Sequence, residues 1–199
     1  MIISRVENYL YSTDINYIDT VKLTEHCLQI EKYLADNLPD IELDWYGNKT
    51  SAHNNRYNIF TFAGKEINEL YYAIKDNVSQ FLDVQQTYMI KGWLNVYSKG
   101  QFVDWHGHWP KEAKVWHGFF CVQTGDYISS TCYKVPGVKD IIEIPSIEGR
   151  LVFGKSEGDE HKSSKWLQDY PRITIAFDII PIDSIKDKTW GNHFIPFKL

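Results

Sequence analysis

The sequence has no run of 18 apolar residues, no Cys-x-x-Cys pair, no cluster of lysine and arginine and no internal repeat. Each absence removes a class of protein. Without a long apolar run there is no candidate membrane-spanning helix, and the start, MIISRVENYLYSTDINYI, lacks the apolar core and small residues of a secretory signal. Cys27, Cys121 and Cys132 are odd in number and widely spaced, which argues against a disulfide framework or zinc ribbon and fits a reducing cytoplasm. The formal charge is −5 with its basic residues dispersed, so there is no electrostatic signal for nucleic acid. No pattern sets an oligomeric state.

What is present is a core's worth of apolar and aromatic side chains. At 199 residues, 43% hydrophobic and 15% aromatic, with seven Trp and thirteen Tyr, the chain is expected to form a single domain over residues 1–199. Residues 6–18 alternate loosely, as a leading strand would. Asp19 or Thr20 can cap a helix in which Leu23, Cys27, Ile30 and Leu34 make one apolar stripe, ending before Pro39. Asp44 to Tyr57 is turn-rich and reads as a long loop over the site entrance. From Lys65 to Leu82, Ile67, Leu70, Tyr71, Ile74, Val78 and Phe81 recur at three and four, as in a helix packed on a sheet.

After residue 88 β-branched and aromatic residues dominate, in short runs broken by Gly, Pro and Asp. Strands are expected at 90–97, 101–106, 115–123, 127–134, 139–144, 150–154 and 172–180. Helices first and then many short strands indicate a mainly β (α+β) sandwich or barrel: a buttress at 1–87, a strand core at 88–181 and a packed tail at 182–199.

The chemistry concentrates in WLNVYSKGQFVDWHGHW, Trp93 to Trp109. His106 and His108, at i and i+2 on an extended segment, project to one face and can grip one metal ion. His161, in EGDEHKSS, adds a third imidazole far downstream. The strand-like RITIAFDII that begins at Arg172 alternates: Arg172, Thr174, Ala176 and Asp178 on one face, Ile173, Ile175, Phe177 and Ile179 on the other. Non-haem iron needs three ligands on one side of the ion, and a guanidinium beside a hydroxyl suits a carboxylate.

These residues, in this order, resemble the iron(II)/2-oxoglutarate-dependent oxygenases, within them the prolyl-hydroxylase-like branch and a group of microbial and phage members with an H-x-H run. The match runs over about residues 90 to 181: Trp93, Asn95, Tyr97, Gly100, His106 and His108, then Trp109 and Pro110, Gly118 leading GFFCV, IPSIEGRLVFGKSEGDEH ending at His161, and Arg172-Ile173-Thr174. The resemblance implies a double-stranded β-helix (jelly roll) with helices on one side. It implies Fe(II) on His106 and His161, and 2-oxoglutarate on Arg172 and Thr174 in a pocket lined by Asn95 and Tyr97. The reaction implied is decarboxylation of 2-oxoglutarate to succinate, with O2 oxidising a C–H bond of a small-molecule or peptidyl substrate. This chain departs from the wider family at position 108, which is histidine in place of aspartate or glutamate. His108 itself ligating is favoured, while Asp104 or Asp178 supplying a carboxylate, or an open position as in halogenating relatives, are the alternatives. A non-catalytic metal-binding jelly roll and a three-histidine cupin-like dioxygenase that needs no oxo-acid are the competing functions.

The other candidates read as structural. His117 is expected in the core or pocket wall, and His26, His53 and His193 carry no role. Cys121 and Cys132 read as small core residues. Glu157, Asp159 and Glu160 read as a solvated loop, placed where it could orient His161.

Overall fold

The computed structural model describes residues 4–37, 57–126, 128–185 and 193–198. Most of the expected entrance loop, from Asp44 onward, lies outside them, as does Trp190. Two short strands open the chain, β1 (Ser4–Val6) and β2 (Leu10–Asp14). Helix α1 (Thr20–Asn37) follows, its first turn capped by Asp19, whose Oδ1 accepts from the Lys22 amide at 3.1 Å. Leu23, Cys27, Ile30 and Leu34 are all buried, as their spacing requires. Helix α2 (Lys65–Val78) buries Ile67, Leu70, Ala73, Ile74 and Val78, then tightens into a 3-10 turn at Ser79–Phe81.

The strands are β3 (Tyr88–Tyr97), β4 (Trp116–Gln123), β5 (Ser130–Lys134), β6 (Ile142–Pro145), β7 (Arg150–Lys155), β8 (Glu160–Ser163), β9 (Arg172–Pro181) and β10 (Ile195–Phe197). They form a seven-stranded sheet, β1-β2-β7-β4-β9-β3-β10, and a three-stranded sheet, β6-β5-β8, with every pairing antiparallel. One face of the large sheet packs on α1 and α2 through Leu94, Phe120, Phe153, Ile173, Ile175 and Phe177. The other face, through Phe119, Cys121 and Val152, meets Tyr133, Ile142 and Ile144 of the small sheet. The tail packs as expected where described, with β10 on β3 and Phe194 and Phe197 buried. Among the described residues no helix is long and apolar enough to cross a membrane.

Three readings are corrected. Residues 101–106 do not form a regular strand. They follow the 161–166 segment through separate backbone bonds, among them Trp166 N–H to Gln101 O at 2.9 Å, Ser163 N–H to Val103 O at 3.0 Å and His106 N–H to His161 O at 3.1 Å, whose offsets keep no constant register. The polar β8 lacks the β-branched signal by which strands are read, and it forms because Thr131 and Tyr133 of β5 supply its partners. Asp159 is 6% exposed, so the acidic run is not a uniformly solvated loop.

Gly118 sits where β4 runs between β7 and β9. A Cβ there would stand 2.3 Å from the Val152 carbonyl oxygen and 2.7 Å from the Phe177 ring. Because one obstacle is backbone, Gly118→Ala should destabilise the protein by about 1–3 kcal/mol or more, read by chemical denaturation. An unchanged unfolding midpoint would contradict this packing.

Candidate functional site

The site lies between the two sheets, on the large sheet's face away from the helices. Antiparallel register places Tyr97 opposite Arg172, Asn95 opposite Thr174 and Trp93 opposite Ala176, with Cys121 and His117 of β4 beside Thr174 and Asp178. The residues expected on one face of β9 therefore do share a face with those of β3.

The two distant histidine segments meet through the backbone. His106 and His161 exchange N–H···O=C bonds of 3.1 and 2.9 Å, and their rings lie 4.4 Å apart, centroid to centroid. His108 is 5.1 Å from His106 and 5.0 Å from His161 by the same measure. Each of the three imidazoles offers a nitrogen within 4.8 Å of the others, a set that could hold a metal ion. Behind each ring an oxygen faces Nδ1: the Asp104 carbonyl for His106 at 2.8 Å, Asp178 Oδ1 for His108 at 3.6 Å, and Asp159 Oδ2 for His161 at 3.9 Å. Only the first is at hydrogen-bond distance, and there the carbonyl favours the His106 tautomer with Nε2 as the lone-pair donor, the usual way an imidazole is aimed at a metal. Neither carboxylate alternative joins this set. Asp104 is exposed and contributes its carbonyl, and Asp178 sits behind His108, accepting from Trp109 Nε1 at 2.8 Å.

His117, expected in the core or pocket wall, and Asp159, expected only where it could orient His161, were not foreseen as possible ligands. His117 Nε2 is 3.4 Å from Asp159 Oδ2, both residues are buried, and together with His161 they form a second group able to hold a metal. The signal was available: Asp159 stands two residues before His161, so an extended backbone puts both on one face.

Burial, reinforced by His108, holds the His106 imidazole down to about 4 despite its bond to the Asp104 carbonyl. Burial likewise lowers His161 to about 3, against the pull of Asp159. Burial alone would raise the Asp159 carboxyl, but His117 and His161 hold it well below the usual carboxylate range. His117 moves the other way: burial lowers it, yet the Asp159 and Asp178 charges carry it above its ordinary value. At neutral pH His106 and His161 thus keep lone pairs available, with the Asp159 carboxylate behind them.

At the other end of the face Arg172 is 1% exposed. Its guanidinium lies over the Tyr97 ring at 5.0 Å, and Nη2 donates to Ser146 Oγ at 3.0 Å and Thr131 Oγ1 at 3.4 Å. Nε and Nη1 are buried with no hydrogen-bond partner, and no carboxylate pairs with the group among the described residues. Asn95 Nδ2 donates to Thr174 Oγ1 at 3.4 Å beside it. Trp93 lies 5.6 Å from the His108 ring, and Tyr97 of the same strand lies under Arg172; Tyr133 lies 5.3 Å from His161, and Thr131 touches Arg172. Two to four residues of strand thus separate the imidazoles from the guanidinium, on the order of 7–13 Å.

No family model matches the chain, and no curated protein matches it in sequence. Solved structures do share its fold. A Pseudomonas putida prolyl-4-hydroxylase superposes with a TM-score of 0.64 at 11% identity, covering 87% of this chain and 94% of that one. A Trichoplax adhaerens prolyl hydroxylase, in complex with a hypoxia inducible factor peptide fragment, gives 0.63 at 12% identity, covering 89% and 87%. A non-haem alpha-ketoglutarate-dependent carbocyclase from nogalamycin biosynthesis gives 0.60 at 10% identity, covering 86% and 79%. At these identities the likeness is one of fold: antiparallel sheets with two helices, matching the double-stranded β-helix expected from the sequence.

The depressed imidazoles set a pH dependence. A histidine whose folded value lies below the unfolded value of about 6.5 stabilises the fold above that pH and loses this contribution as pH falls, because the unfolded chain takes up the proton first. His117, raised, acts in the opposite sense and loses its contribution as pH rises through its folded value. Metal-free protein should therefore lose stability in urea between about pH 6.5 and pH 4, and His106→Gln should flatten that slope. An identical slope in the variant would mean that His106 titrates normally.

Proposed function

We propose that the protein is an iron(II)- and 2-oxoglutarate-dependent oxygenase that hydroxylates a C–H bond of its substrate. The observation that carries this reading is the Arg172 guanidinium: buried, aromatic-stacked and short of an anion. A charge taken out of water is costly unless paired, and among the described residues its hydrogen-bond partners are hydroxyls alone. A carboxylate bound to an open donor, Nε or Nη1, supplies the missing partner. The distance to the imidazoles then suits a short dicarboxylate, anchored at one end on Arg172 and reaching the metal seat with the other. Thr174, Asn95 and Tyr97 line the path between.

The donor chemistry fits iron. His106, His108 and His161 would hold Fe(II), imidazoles being good ligands for it, and the ion when bound would supply O2 activation and oxidative decarboxylation of the oxo-acid. Three neutral ligands leave the ion's charge undiminished, and Asp159 and Asp178 offset it from behind the rings. Trp93 and Tyr133 wall the imidazoles with apolar surface, which keeps bulk water from competing for the reacting centre. The solved structures of the same fold support the class, since they include prolyl hydroxylases and an alpha-ketoglutarate-dependent carbocyclase. One of these accompanies a peptide fragment and another belongs to nogalamycin biosynthesis, which supports a substrate that is peptidyl or a small molecule. The protein is taken to work in the cytoplasm.

Anaerobic Fe(II) and 2-oxoglutarate together should give a visible charge-transfer band that neither gives alone. Arg172→Met, which keeps the stem's bulk, should weaken 2-oxoglutarate binding roughly 10–100-fold and leave Fe(II) affinity intact, as expected for one lost charged contact. Iron bound without the band would return the protein to a metal-binding jelly roll or a dioxygenase that takes its substrate directly on the metal. His108→Asp should retain the metal while His108→Ala weakens it, and unchanged affinity in His108→Ala would remove position 108 from the ligand set.

A further inference from the structure

His117 on β4 meets Asp159, just before β8, and His161, within it, each offering one atom within 4.8 Å of the others. The Asp159 Oδ2 atom is 3.4 Å from His117 Nε2 and 3.9 Å from His161 Nδ1. Both gaps exceed the roughly 2.7–3.2 Å of an N–H···O hydrogen bond. Asp159 Oδ2 and His161 Nδ1 are accordingly buried without a hydrogen-bond partner, in a residue that is 6% exposed and in a ring that faces it. Ligands about 2.0–2.2 Å from a four-coordinate ion stand about 3.3–3.6 Å from one another; the 3.4 Å pair has that spacing and the 3.9 Å pair is somewhat wider, so an ion would draw His161 slightly inward. At these distances the side chains leave the oxygen unsatisfied, whereas a cation between the three groups satisfies it.

We propose that His117, Asp159 and His161 form a second seat for a divalent transition-metal ion, separate from the three-imidazole seat and sharing His161 with it. A neutral imidazole has one lone pair, so His161 serves one seat at a time and the two are alternatives for a single ion. The seats differ in kind. The front one has three neutral donors; the rear one has two imidazoles and a carboxylate, the donor set found in many non-haem iron sites, and it cancels one unit of the ion's charge. The rear seat depends on neither Arg172 nor 2-oxoglutarate.

Cobalt(II), whose visible bands report its ligands, is the probe. His106→Ala/His108→Ala removes the front seat and should still bind one Co(II) per chain with visible bands. Adding Asp159→Asn or His117→Ala to that variant should weaken binding more than tenfold. A folded double variant that takes up no cobalt, or one whose affinity ignores His117 and Asp159, overturns the proposal. Should circular dichroism show the double variant unfolded, His106→Ala alone against His106→Ala/His117→Ala decides: cobalt must stay on the first and leave the second, and equal binding by both overturns it. A missing charge-transfer band with iron and 2-oxoglutarate, alongside a positive cobalt result, would remove the oxygenase reading and leave this seat standing.

Discussion

Two backbone hydrogen bonds, exchanged between His106 and His161, determine where everything else in the site can be. They close an irregular segment onto the edge strand of the small sheet. In an antiparallel pair that exchanges both bonds, the two Cα atoms are held about 5.5 Å apart and the side chains leave from the same face. His108 follows because a two-residue step along an extended chain returns to that face. Gly107 between the two histidines has its own constraint: a Cβ there would stand 3.0 Å from the Asp159 carbonyl oxygen, so the H-x-H segment lies close on the turn that carries Asp159. The histidine pair and the acidic residue behind it are thus parts of one close backbone approach.

The charges are arranged in layers. Nearest the centre are three imidazoles, of which His106 and His161 are kept neutral by burial; behind them are two carboxylates and the fourth imidazole; farther along the sheet is a guanidinium with hydroxyls but no anion among the described residues. An enclosed arrangement of this kind is tolerable only if opposite charges are close or are supplied by guests. Asp159 has His117 close by and Asp178 has the Trp109 indole and His108. Arg172 has no such partner among the described residues, which makes it the point at which the fold is least complete by itself.

What could be read from the sequence was whatever repeats with a short period. The apolar stripes of α1 and α2, the alternation of β9 and the i, i+2 histidines all declare themselves locally, and all appear in the structure. Contacts that depend on another strand do not declare themselves. Glu160–Ser163 is polar and becomes β8 only because β5 lies beside it. Ser146 and Thr131 look like ordinary turn and strand residues until β5 and the turn after β6 bring them to Arg172. His117 and Asp159 were legible as neighbours of important positions, but their pairing across β4 and β8 is a product of sheet order. The long segment at 101–106 was overread because alternation alone does not reveal that its partner strand changes register.

The attachment of Nη2 to Ser146 and Thr131 has a mechanical consequence. The guanidinium is rooted in the large sheet while its hydrogen-bond partners among the described residues, Thr131 and Ser146, lie on the small sheet and just after it, so it already acts as a rivet with two of its three heads unset. A guest that fills the remaining donors would finish the fastening, turning a cleft between two leaves into continuous interior. Recognition and closure would then be a single event, with the guest serving as a removable piece of the core.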